Sequence, residues 1–361
     1  MQVFNENNYN AYPVTAIGLC EISYLNNGGS VSGPAIANAV TNAYNTPYNP
    51  NNYDPNNPPI QPNTPLETSI VWGPAFSPVN GFATNSLMFI AQVKSSSEYF
   101  VVIRGTDPIS LSSWINEDLK VDTIVPLNTL PNVPSSIIYD DITISLAAFN
   151  GMSDLLGLTD PNTNQSALTF LQNTIANNSD AYIYVTGHSL GGTLTPVMFS
   201  YLNAILFNGN TYCNMAMWSF AGLTAGGTNF NDYVDHLNPN AAFNWRIPNT
   251  LDIAPFLVGP ANINQAPVPS DITNIYSELS IDPGSYALLM DLFSKANATT
   301  GTNPPGLNFY LQPSFGINPI NGTYQPALTH IPLVAPWATQ ALYQHHASTY
   351  YQMVYQSFMP A

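Results

Sequence analysis

The sequence predicts an α/β fold, a mostly parallel central sheet with helices on both faces. Three observations carry that expectation. Runs of β-branched and aromatic residues alternate with stretches of helical periodicity through the middle of the chain. One such run, "AYIYVTG" (181–187), enters the helical "LGGTLTPVMFSYLNAILF" (190–207) through a glycine-rich corner. The 361 residues are 45% hydrophobic, ample for a packed core, and the length suits one large α/β unit or two ordinary ones.

Taken in order, an apolar helical pattern runs from about Val14 to Leu25. "NTPYNPNNYDPNNPPIQPNTP" (45–65) reads as an extended Pro/Asn-rich loop. Strands follow at "SLMFIAQV" (86–93) and "EYFVVIRG" (98–105), then a helix at "SALTFLQNTIANN" (166–178) ahead of the strand–corner–helix unit. Two more strands are expected at "MAMWSFAG" (215–222) and "AAFNWRIPN" (241–249), with the helix "NFNDYVDHL" (229–237) between them. From about 256 to 335 the chain turns Pro/Gly-rich around one helical island, "SYALLMDLFSKA" (285–296), and reads as an insertion over the top of the sheet. No internal repeat is visible, and 1–361 reads as a single domain.

Charge is sparse and acidic: 21 Asp plus Glu against 5 Lys plus Arg, a net charge of −16. That balance repels phosphate backbones and anionic membrane surfaces, so nucleic acid is excluded as a partner. No stretch reads as a transmembrane segment. The opening "MQVFNENNYNAYPVTAIGLC" lacks the basic-then-apolar pattern of a signal peptide, yet the uncharged Asn, Pro and Tyr content suits an extracellular, secreted setting and uncharged or apolar substrates. Cys20 and Cys213 either pair or stay free and form no ligand cluster. Without HExxH, CxxC or an ordered calcium-ligand spacing, no metal or cofactor is expected.

Gly187-His188-Ser189-Leu190-Gly191 fits G-x-S-x-G, a serine on a strained strand-to-helix turn. Glycines flank such a turn because strand and helix pass too close for a Cβ. The Leu190 N–H then opens a helix, where unpaired donors and the positive dipole end favour an oxyanion. A serine hydroxyl needs a base, and a carboxylate must orient the base. In this arrangement the chain order is Ser, then Asp or Glu, then His.

Of five histidines, His188 adjoins the serine and is read as pointing elsewhere, and His236 comes too early. His330, in the Pro-flanked "ALTHIPL", reads as structural. One of His345 and His346, which open the last helix in "YQHHASTYYQMV", is the better base. Among the acids, Asp252 follows the strand "FNWRIPN" with two residues between, at the sheet edge where function collects, and the apolar "IAPFL" after it would half-bury it. Asp232 and Asp235 read as solvated helix charges.

Four blocks resemble the class 3 lipases, the fungal-type triacylglycerol lipase family of the α/β-hydrolase fold. They are "VVIRGTD" (101–107), "SWINEDL" (113–119), "VTGHSLGG" (185–192) and "RIPNTLDIAPFL" (246–257). The resemblance implies Ser189 as nucleophile, Asp252 as acid and His345 as base, with His346 the alternate. An aromatic residue four or five positions on, as the family has, fits both, Tyr350 for His345 and Tyr350 or Tyr351 for His346; His345 is preferred because Gln344-His345 also resembles the family. Thr106 and Leu190 would form the oxyanion hole. The segment 107–116, with Ile109, Leu111, Trp114 and Ile115 on one face, reads as a lid or else a plain core helix. Arg104 is read as structural, pairing with Asp107 or Asp118.

In place of the family's proline after "WSFAG", this chain has "GLTAGG" (222–227), which keeps only Thr-Ala-Gly, and neither the Asn/Pro-rich segment nor the C-terminal insertion has a clear counterpart. The implied activity is that of a serine carboxylic-ester hydrolase, a triacylglycerol lipase or esterase working through an acyl-enzyme without a cofactor. Its partner would be a small-molecule or lipid ester, including one at an oil–water interface. Phospholipase A1, feruloyl esterase and polyester esterase chemistry use the same machinery, and a non-catalytic secreted binding protein on this fold is the alternative of another kind.

Overall fold

Six strands hydrogen-bond into one sheet in the order β1-β2-β3-β6-β7-β8. The strands are β1 Thr68–Phe76, β2 Leu87–Val93, β3 Glu98–Ile103, β4 Ile124–Pro126, β5 Thr143–Ser145, β6 Tyr182–His188, β7 Met215–Phe220 and β8 Asn244–Ile247. The helices are α1 Ala11–Ile22, α2 Gly33–Ala43, α3 Leu146–Leu156, α4 Ala167–Asn177, α5 Leu190–Leu206, α6 Thr228–Leu237, α7 Pro283–Asn297, α8 Pro336–His345 and α9 Ala347–Phe358. The computed structural model describes residues 10–25, 33–45, 63–77, 86–105, 121–211, 213–237, 244–257, 272–276, 279–297, 320, 322 and 336–359. Most of the 45–65 loop and of the 256–335 insertion lies outside these residues, as does the whole of 107–116.

The sheet is mixed. β3, β6, β7 and β8 run parallel, the half that alternating strands and helices predict, whereas β1, β2 and β3 form an antiparallel meander. Only four residues separate β2 from β3, too few for a crossover. β4 and β5 pair in a separate antiparallel ribbon. Side chains alternate across the sheet, and both faces are covered. Ile90, Val101, Ile103, Ile183, Val185 and Met217 pack under α3, α4, α5 and α6. On the other face, Phe89, Phe100, Tyr184, Trp218 and Phe220 pack against α1, α2 and α9.

Sequence pattern does not announce β1, because Gly73-Pro74 sits inside it. Proline in a strand is tolerated at an edge or a bulge, and β1 is both: it is the edge strand, and its register with β2 shifts on either side of Trp72. Gly73 has φ +79°, where an added Cβ would crowd the Ala75 amide. Asp160 holds the irregular strand from outside, its Oδ2 accepting the Gly73 N–H at 2.7 Å. Helix α3 also escapes a reading by periodicity, although Ser145 caps it by accepting the Ala148 N–H at 3.1 Å.

The register of the parallel half matters most for the site. Ile103, Gly187, Ser219 and Arg246 stand in one row across β3, β6, β7 and β8. The residues that follow each of them therefore emerge together at the carboxyl edge: Gly105, Ser189, Ala221 and the turn Asn249–Asp252. Beyond that edge, Ile253, Ala254 and Leu257 pack with Ile272, Tyr276, Leu289 of α7 and Trp337 of α8 in a third apolar cluster. Among the described residues, no helix is long and apolar enough to cross a membrane, and no group of acids, histidines and cysteines could hold a metal ion. Cys20 and Cys213 are free thiols.

Candidate active site

Strand β6 ends at His188 and α5 begins at Leu190, so Ser189 alone makes the corner. Its backbone is forced to φ 62°, ψ −125°, a conformation costly for any residue with a side chain. Glycines make the corner sterically possible. A Cβ on Gly187 would strike the Gly191 carbonyl, and one on Gly191 the Ile103 carbonyl at the end of β3. One on Gly192 would strike the Phe220 carbonyl at the end of β7. The start of α5 is thus wedged between the ends of β3 and β7. Ser189 is fixed further by its N–H donating to Phe220 O at 3.0 Å and its carbonyl accepting the Thr193 N–H at 2.9 Å.

Three side chains meet at this corner. Ser189 Oγ lies 2.8 Å from His345 Nε2. On the far side of the imidazole, His345 Nδ1 lies 2.9 Å from Asp252 Oδ2 and 3.1 Å from Oδ1. A nitrogen facing a carboxylate carries the proton, so Nε2 is left as the acceptor toward the hydroxyl. All three residues are buried, Asp252 completely. The sequence suggests a half-buried acid. The apolar cluster of Ile253, Leu257, Tyr276 and Trp337 closes over the turn instead.

Neighbouring groups satisfy the buried carboxylate. Asp252 Oδ1 accepts the Ala254 N–H at 2.9 Å, and Oδ2 accepts the Tyr350 hydroxyl at 2.7 Å. The same hydroxyl accepts the Asn249 N–H at 2.8 Å. Asn249 in turn donates from Nδ2 to Gln344 O at 2.9 Å and to Gln344 Oε1 at 2.8 Å. The turn bearing the acid is thereby tied to the residue preceding the base. Burial and the Asp252 charge both push the Tyr350 phenol well above its ordinary range, so it stays a donor. Arg246 completes the support: its Nη2 donates to Gly222 O at 2.6 Å and Pro255 O at 3.0 Å, while burial lowers it to about 10.

His345 and His346 do not open one helix together, as the sequence suggests. His345 is the last residue of α8, and His346 is the N-cap of α9, its Nδ1 accepting the Ser348 N–H. A backbone break between the two sends their rings to different tasks, and the ring at hydrogen-bond distance from Ser189 Oγ is that of His345. His188 does not point away from the site either. Its Nε2 lies 2.8 Å from His345 O, and its ring centroid lies 5.0 Å from that of His345. Leu190 is the first residue of α5, whose first amides have no acceptor within the helix. Thr106, Ile109, Leu111, Trp114, Ile115 and His330 lie outside the described residues, as do Asp107 and Asp118, the partners expected for Arg104. Asp232 is exposed on α6 and Asp235 half-buried.

Sequence reasoning passed over Tyr24, Asn249 and the hydroxyl role of Tyr350. Two of them left a signal, Tyr350 in its five-residue spacing from His345 and Asn249 in the block "RIPNTLDIAPFL". A cavity of about 330 Å³ lies between α3, α4 and α5, lined by Met88, Leu155, Leu168, Met198, Tyr201 and Leu202 among others, and none of the residues of the Ser189 corner lines it.

The chain is similar to known lipases. Residues 100–261 match the lipase (class 3) family. The chain is a lipase-type serine hydrolase. The solved structure of M37 lipase superposes with a TM-score of 0.67 at 23% identity, covering 99% of this chain and 96% of that one. That likeness shows the fold, an α/β-hydrolase-type sheet flanked by helices. The nonglycosylated LIP2 lipase of Yarrowia lipolytica aligns over 70% of this chain and 75% of its own, at 17% identity and a TM-score of 0.49. No curated protein matches the chain by sequence. The class 3 match ends at residue 261, so α8 and α9, which bring His345 and Tyr350 to this lipase's serine corner, lie beyond it.

Proposed function

We propose that the chain acts as a class 3 lipase and hydrolyses uncharged carboxylic esters, triacylglycerols and simpler acyl esters foremost, through Ser189, His345 and Asp252. The observation that carries the reading is the line of contacts from Ser189 Oγ to His345 Nε2, 2.8 Å, and from His345 Nδ1 to Asp252 Oδ2, 2.9 Å. Ser189 Oγ attacks the ester carbonyl carbon as its proton passes to His345 Nε2. Asp252 holds the tautomer and stabilises the imidazolium that forms. The carbonyl oxygen, now an oxyanion, takes the Leu190 N–H at the start of α5. By family resemblance Thr106 supplies the second donor. Each such donor is worth about 10²–10³ in rate. His345 then protonates the departing alkoxide, leaving an acyl-Ser189. Water, deprotonated by His345, attacks the acyl carbon, and the acid leaves as Ser189 recovers its proton.

Sparse charge and a net −16 support a neutral substrate over an anionic phospholipid, which the field of the protein would repel. We read 1–361 as one α/β-hydrolase domain of an exported enzyme acting at an oil–water interface, with 107–116 as its lid. Covalent labelling by an alkyl fluorophosphonate tests the chemistry: wild type labels, and Ser189→Ala does not. A panel of triacylglycerols, phospholipids, feruloyl esters and polyesters of matched chain length tests the substrate. Trp114→Ala tests the lid, with a loss expected on emulsions and none on short soluble esters.

A further inference from the structure

We infer that Tyr24 and His188 are positioning residues, a two-member clamp that sets the backbone of the base against the nucleophile. The inference rests on the serine-hydrolase reading above. His188 precedes Ser189, and its Nε2 lies 2.8 Å from the carbonyl oxygen of His345. His345 Nε2 lies 2.8 Å from Ser189 Oγ. These contacts and the 188–189 peptide close a small ring in which the base is held twice, once by its backbone and once by its own imidazole.

The protonation pattern follows from the partners. A carbonyl only accepts, so His188 Nε2 carries the hydrogen. His188 Nδ1 is then a lone pair and accepts the Tyr24 hydroxyl proton at 3.0 Å. The Tyr24 oxygen in turn accepts the Gly105 N–H at 3.2 Å. One hydroxyl thus joins the end of β3, the end of β6 and, through His188, the end of α8. Gly105 lies tight against the corner, where a Cβ would strike His188 O, the Tyr24 hydroxyl and Ser189 Cβ. The His345 carbonyl belongs to the last turn of α8, where carbonyls lack helical partners and the dipole is negative, so the His188 N–H caps that end.

Neutrality is part of the function. Burial, together with His345 and His346 close by, holds His188 well below the ordinary histidine range. A second imidazolium 5.0 Å from the His345 ring would oppose the charge His345 takes up during acyl transfer. A misplacement of about 1 Å between reacting groups costs on the order of 10²-fold in rate, which sets the scale of what the clamp protects.

Tyr24→Phe and His188→Phe keep the rings and remove the hydrogen bonds. On a short soluble ester, with active sites titrated by fluorophosphonate, kcat is expected to fall about 10–100-fold while KM moves less than about threefold. The Ki of an alkylboronic acid, which forms a tetrahedral adduct on the serine, should rise by the same factor as kcat falls. His188→Gln, whose amide can donate to His345 O, should recover most of the loss. Wild-type kcat in both phenylalanine variants would overturn the clamp. So would a kcat loss with unchanged boronate affinity, or a His188→Gln no better than His188→Phe. A wild type that takes no fluorophosphonate overturns the hydrolase reading itself, and the clamp with it.

Discussion

The Tyr350 hydroxyl donates to Asp252 Oδ2 at 2.7 Å while accepting the Asn249 N–H, so one phenol serves a charged acceptor and a backbone donor in a fully buried place. Hydrogen bonds to buried charges are worth about 1.5–3 kcal/mol, and a stranded partner loses its full hydration as well. Tyr350→Phe should therefore lower stability by about 2–3 kcal/mol, read from urea midpoints, and reduce kcat by about tenfold through a loosened acid. An unchanged midpoint would show that water replaces the hydroxyl.

His346 carries the pH prediction on the acid side. Burial, then the neighbouring His345, pushes it from 6.5 down to about 4. In that interval the unfolded chain binds a proton that the folded chain refuses. The stabilisation is complete above about pH 6.5 and is lost as pH falls toward 4, on the order of 3 kcal/mol over the whole range. His346→Asn keeps an N-cap for α9 without a titrating ring. It should flatten the acid limb of a Tm-versus-pH curve and retain activity within a few-fold. Loss of activity to the level of His345→Ala would assign the base to the wrong histidine.

How much of this was legible in the sequence depends on how local the signal is. The corner at Gly187–Gly192 could be read because its steric demand is written in consecutive residues. Asp252 could be placed because only two residues separate it from a recognisable strand segment. β1 hid because Gly73-Pro74 breaks the pattern, and only an edge position with Asp160 outside it makes the strand tolerable. The split of His345 from His346 hid because a one-residue break between helices leaves little trace in periodicity. Tyr24 hid for a deeper reason: its partners, Gly105 and His188, are 81 and 164 residues away, and only the fold brings them together.

Gly191 supports a steric prediction. An added methyl would meet the Ile103 carbonyl and the Arg104 carbonyl carbon, backbone atoms at the end of the central strand β3. Gly191→Ala should destabilise by on the order of 3 kcal/mol or more and abolish fluorophosphonate labelling. Gly157→Ala is the control. Gly157 is the C-cap of α3 at φ −77°, where a methyl finds ordinary van der Waals distances, and the unfolding free energy of Gly157→Ala should stay within about 0.5 kcal/mol of wild type or rise. Equal losses at both sites would mean that lost glycine flexibility, not collision, governs the corner.

Glu21 sets the alkaline side. It sits on α1, 8% exposed, with Oε2 buried and without a hydrogen-bond partner, and burial pushes its carboxyl from 4.5 up to about 8. Between those values the folded chain keeps a proton that the unfolded chain releases, so its contribution is intact below about pH 4.5 and is lost as pH rises through 8. Replacing the acid by a neutral isostere removes the linkage. Glu21→Gln should match wild type near pH 4.5 and exceed it increasingly toward pH 9, by a few kcal/mol at most, on the order of 3–5. Urea unfolding at pH 5, 7 and 9 reads the difference directly. Parallel wild-type and Glu21→Gln curves would mean that the folded carboxylate ionises without cost, which its buried place beside Cys20 and Tyr24 argues against.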